Sequence, residues 1–158
     1  MTEIDILLMH LKEAFDQPSW HGVNLLGSIR RLKAEEAGWR PGKDRHNAWE
    51  IAVHAAYWKY NVYRRLAGEA RGSFPLKGSN WFTRPPEGTP LEWKNDIQLL
   101  REFHRRLTSA VAEFDGSRLD ERAGGSKFTF RRLILGAGAH DLYHAGQIQL
   151  LKRLRLRS

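Results

Sequence analysis

The chain has 158 residues, the size of one domain, and its 41% hydrophobic and 28% charged residues suffice for a core beneath a solvated surface. Cysteine is absent, which excludes disulfides, thiolate ligands and a cysteine nucleophile: any metal must be held by nitrogen or oxygen, and any thiol chemistry must borrow its thiol. The net charge of +8 favours anions, yet the cations are dispersed in pairs such as Arg30/Arg31, Arg64/Arg65 and Arg131/Arg132 with no nucleic-acid-binding motif, so nucleic acid is a disfavoured partner.

Four segments repeat apolar residues at the three- and four-residue steps of a helix, and none alternates as a strand does. The first runs from about Glu3 to Phe15, striped by Ile4, Leu7, Leu8, Leu11, Ala14 and Phe15. It mixes acids into its pattern and lacks a basic start and a small-residue cleavage site, so it reads as a helix rather than a signal peptide. A shorter helical stretch, about Gly22 to Leu32, follows before LKAEEAGWRPGKD, which Gly38, Pro41 and Gly42 punctuate. The second long helix spans Asn47 to about Ala67. Asn47 followed by Glu50 has the spacing of a capping box, and AWEIAVHAAYW is apolar on nearly all sides, as a helix in the middle of a bundle should be. His54 is therefore expected to be buried.

Gly68 to Pro90 forms a connection of roughly twenty residues, the length at which loops in compact domains are often functional lids, and it carries the pair Trp81-Phe82. The third long helix is expected over Leu91 to about Phe114, striped by Trp93, Ile97, Leu100, Phe103, Leu107, Val111 and Phe114. The fourth runs from about Thr129 to Leu154, striped by Leu133, Ala137, His140, His144, Ile148 and Leu151. The expectation is one all-α domain over residues 1–158: a four-helix bundle with long connections and a short extra helix between its first two long helices. No segment reaches the roughly 18 apolar residues that crossing a membrane requires, and the cytoplasm is the expected compartment.

His140 and His144 lie four apart on a helix and leave the same face, which is also the apolar stripe. Burying two imidazoles there is costly unless each is hydrogen-bonded or bound to metal. With His54 brought against them, three imidazoles converge, the layout of metal sites that keep an open position. Nitrogen donors suit zinc, nickel, copper or iron better than magnesium or calcium. Glu50, one turn before His54, is a candidate to accept its second N–H or to act as a general base, besides capping Asn47. Gln147, one turn past His144, is a candidate to orient a bound water or substrate, or to bond a neighbouring helix. Asp141 points away and should bond another helix. Gly146 is expected where a helix comes close. His10, His21, His46 and His104 read as surface residues.

The segments WEIAVHAAYWK, preceded by AGWRPGKDRHN, and HDLYHAGQIQLLKR, together with WHGVNLLGSIRRL and the Trp-bearing loop, resemble the DinB/YfiT-like family of metal-dependent hydrolases over nearly the whole chain. In that family one His from the second helix and an H-x-x-x-H pair from a later one hold a divalent metal, which carries over to His54, His140 and His144. The resemblance implies a homodimeric bundle and a metal that is zinc, nickel, iron or manganese. Characterised branches transfer or isomerise with low-molecular-weight thiols such as bacillithiol or mycothiol. It therefore implies hydrolysis or thiol S-transfer on a small-molecule substrate, the alternative being a non-catalytic metal-binding stress-response module.

Overall fold

The computed structural model describes residues 1–85 and 87–157. Six α-helices follow one another: α1 (Glu3–Phe15), α2 (Leu25–Ile29), α3 (Ala34–Gly38), α4 (Ala48–Leu66), α5 (Pro90–Ala112) and α6 (Phe130–Arg155). A 3-10 turn at Gly116–Arg118 precedes α6, and no strand is present among the described residues. The four long helices sit where the apolar period puts them. In place of one short helix between α1 and α4 there are two, because Gly38 and Lys33 bracket a separate turn, AEEAG, whose Glu36 carboxylate accepts from the Lys33 amide at 2.9 Å.

The helix starts are fixed by side chains that accept free backbone N–H groups. Thr2 and Asp5 form a reciprocal capping box on α1, and Thr89 and Glu92 form one on α5. Pro90 occupies the first turn of α5, where its missing N–H costs nothing. Asn47 caps α4 by accepting from Glu50 N at 2.8 Å, and its amide donates to Gly38 O at 3.1 Å, joining α3 to α4. The Glu50 side chain does not close the expected box. It turns instead to the loops, as described below.

Each long helix packs chiefly on two others: α1 on α5 and α6, and α4 on α5 and α6. The bundle therefore reads α1–α5–α4–α6 around its ring, with α1 opposite α4 and α5 opposite α6. The chain crosses both diagonals, once through α2 and α3 and once through residues 113–129. α2 lies on α6 and α3 on α4.

Two apolar clusters form the core. One gathers Leu25, Ile29, Trp49, Ile51, Val53, Leu100 and Ile148; the other gathers Leu7, Leu11, Val62, Leu107, Val111 and Ile134. Between them along α4, α5 and α6 lies a polar layer of Lys59, His104 and Asp141, all buried. Lys59 pairs with Asp141 and stands 3.3 Å from His104 Nδ1. His104, expected at the surface because it sits in REFHRR, instead occupies a position one turn from Leu100, stacked on Phe15 at 3.8 Å. Burial and the neighbouring Lys59 cation push its pKa down to about 2, so it is neutral. The close helix approach expected at Gly146 occurs elsewhere: space around Gly146 is open, whereas a Cβ on Gly138 would meet the His10 ring at 2.2 Å.

Candidate metal centre

His54 projects from the middle of α4, and His140 and His144 from successive turns of α6, so the contact between α4 and α6 brings the three rings together. His140 Nε2 lies 3.1 Å from His54 Nε2 and 3.0 Å from His144 Nε2. All three donor atoms fall within 4.8 Å of one another. His54 and His144 are buried and His140 is half-buried.

The far side of two rings decides which nitrogen is free. His54 Nδ1 is 2.7 Å from the Asn80 carbonyl, which can only accept, so Nδ1 carries the proton and Nε2 keeps its lone pair. His144 Nδ1 donates to Gln147 Oε1 at 2.7 Å with the same consequence. Two lone pairs then face His140 Nε2, and a single proton on that atom satisfies only one of them. A cation satisfies all three. Bonds of about 2.0–2.1 Å at tetrahedral angles space ligand nitrogens by about 3.3 Å, close to the 3.1 and 3.0 Å that separate His140 from His54 and His144. The donor set fits a divalent metal.

Electrostatics keeps the three imidazoles neutral. Burial lowers the pKa of His54 to about 4 despite its bond to Asn80, and that of His140 to about 3, with His144 and His54 adding repulsion. His144 is lowered by burial, partly offset by Gln147. Neutral imidazole is the form that binds metal.

The surroundings come from loops. Trp81 lies flat between two imidazoles, 3.8 Å from His54 and 3.6 Å from His46. Asn80, in the left-handed region at φ 65°, gives its carbonyl to His54 and its side-chain oxygen to Trp58 Nε1 at 3.0 Å. The long connection expected as a lid is thus fastened as a wall. An open cavity of about 350 Å³ abuts the centre, lined by His46, Trp81, Tyr143, His144 and Gln147, by leucines of α6 and by Arg45 at its rim.

Of the remaining expected site residues, Glu50 does not accept the second N–H of His54, which goes to the Asn80 carbonyl. Its carboxylate accepts from Arg40 at 2.5 and 2.8 Å, from His46 Nδ1 at 3.0 Å and from the Arg84 amide at 3.2 Å. Gln147, expected either to orient water or substrate or to bond a neighbouring helix, accepts from His144 of its own helix and lines the adjoining cavity. Asp141 bonds a neighbouring helix, as expected, through Lys59. His46, Asn80 and Trp81 were not legible as site residues, because loop positions have no period; the sole cue is the aromatic pair in a long connection.

The model of the DinB superfamily matches residues 19–148. The chain belongs to the DinB superfamily. No curated protein and no solved structure matches it. The matched span contains the three converging histidines of this DinB chain, His54, His140 and His144, and the loop that supports them. Among its described residues no helix is long and apolar enough to cross a membrane.

Proposed function

We propose that this DinB protein is a metal-dependent enzyme that activates water or a low-molecular-weight thiol at a centre held by His54, His140 and His144. The observation that carries this reading is the convergence of three neutral Nε2 atoms, two of them with their opposite nitrogens already spent on protein acceptors. A divalent ion, zinc or nickel by donor chemistry with iron or manganese next, supplies Lewis acidity that lowers the pKa of water or thiol at an open position. The protein's own groups do the rest. Asn80 and Gln147 fix the ring orientations, so Gln147 is a positioning residue. Trp81, Tyr143 and the α6 leucines offer an apolar wall to the substrate body, and Arg45 offers a cation to an acidic end. With no cysteine in the chain, a thiol nucleophile enters as cosubstrate. Glu50, with both oxygens paired, anchors the loops instead of moving protons.

The test is elemental analysis of purified protein followed by a thiol and electrophile screen. About one equivalent of divalent metal per chain is expected, lost in His140→Ala and His144→Ala. Full retention by both variants contradicts the ligand set. Metal retained with no turnover of any electrophile, by water or by thiol, favours the non-catalytic metal-binding module, which the burial of His54 and His144 also accommodates.

A further inference from the structure

A second cavity, of about 540 Å³, lies between the C-terminal half of α4 and the loop over residues 71–79. That volume is within the range of sites for small organic ligands. Its walls divide by chemistry. Tyr57, Phe74 and Leu76 supply an aromatic and apolar side, while Arg64, Arg71 and Lys77 supply three cations, and no acidic side chain lines it among the described residues.

Cations at a helix C-terminus are ordinary, and Arg64 and Arg65 close α4. That accounts for their charge but not for their state. Arg64 is 8% exposed, its Nε has no hydrogen-bond partner among the described residues, and its guanidinium bond to the Glu69 carbonyl, through NH1, is long at 3.5 Å. Arg65 Nε is likewise buried without a partner. Glu69, the nearest acid in sequence, has its Oε1 taken by the Tyr63 hydroxyl at 2.6 Å. No ion pair joins Arg64, Arg71 or Lys77 to a carboxylate among the described residues. Burial, with repulsion from Arg64 and Arg71, lowers the pKa of Arg65. A buried guanidinium with an idle N–H beside two more cations is costly unless an anion shares the space.

We infer that this cavity binds a small phosphorylated organic molecule, its phosphate held by Arg64, Arg71 and Lys77 and its body laid against Tyr57 and Phe74. Guanidinium forks match phosphate oxygens in pairs, and three cations call for the double charge of a phosphate monoester over a single carboxylate. The site is separate from the metal ligands, although Ser79 lines it and the following residue, Asn80, holds His54.

Isothermal titration with phenyl phosphate and with inorganic phosphate tests this. Phenyl phosphate should bind saturably and more tightly than inorganic phosphate, because only the former uses the aromatic wall. Arg71 is exposed, so Arg71→Gln should fold normally and weaken binding by at least about tenfold. Arg132→Gln, which removes an exposed cation from α6, should leave it unchanged. Absence of saturable binding, equal weakening by both variants, or no weakening by Arg71→Gln overturns the assignment.

Discussion

Gln147 illustrates how one residue sets a donor atom from the far side of its ring. Its amide oxygen takes the Nδ1 proton of His144 at 2.7 Å, which fixes both the tautomer and the ring angle. Partners of this kind are worth roughly 10–100-fold in metal affinity. Gln147→Ala is therefore expected to weaken zinc binding by that factor in a chelator competition, while Gln147→Glu, still an acceptor, retains it. Equal affinity for all three proteins would show that His144 needs no such support. The three converging histidines were legible in the sequence, since His54 falls in an all-apolar helix and His140 and His144 on a stripe. The partner of His54 was not, because it is a backbone carbonyl from a loop 26 residues away.

Among the elements, the long connections do more than link helices. Glu50, buried on the first turn of α4, ties Arg40 and His46 from one connection and the Arg84 amide from the other. Arg84 also pairs with Asp96 of α5 at 2.7 Å, and Asp96 accepts from Trp49 Nε1 at 2.6 Å. Burial alone would raise the Glu50 pKa, but the donors from Arg40, His46 and Arg84 outweigh it and hold the group below the usual 4.5. A carboxylate depressed in the folded state contributes stability above its unfolded pKa and loses it as the pH falls through the folded one. Glu50→Gln should accordingly cost about 1–3 kcal/mol at neutral pH. Its Tm deficit should narrow as the pH falls below 4.5. A deficit constant with pH would assign the loss to packing. The long helices could be placed from period and caps, whereas α3, only five residues long, offers too few positions to show a period.

At the scale of the molecule, the buried layer of Lys59, Asp141 and His104 separates the two apolar clusters and joins α4, α5 and α6. Burial drives the Asp141 carboxyl up to about 6 against the pull of Lys59, and Asp141 Oδ1 has no partner among the described residues. Removing one member of such a pair strands the other charge, so Lys59→Met should destabilise by roughly 3–5 kcal/mol in urea unfolding, and adding Asp141→Leu should recover most of that. A double variant as unstable as the single would mean the layer acts through shape, not charge. His104 escaped the sequence because its charged neighbours concealed a position in step with Leu100 and Leu107. The ring order α1–α5–α4–α6 escaped it too, since periodicity marks a helix's inner face but not which helix it meets. His54 and His140 stand 86 positions apart in the chain, so the three-histidine centre cannot assemble in a growing polypeptide until α6 has been made and docked. A divalent ion held there, as proposed, would work as a clasp, opposing by mass action the parting of the first-formed helices from the later one. Loading and closure would then be a single event, and a loaded protein would by that fact be a finished one.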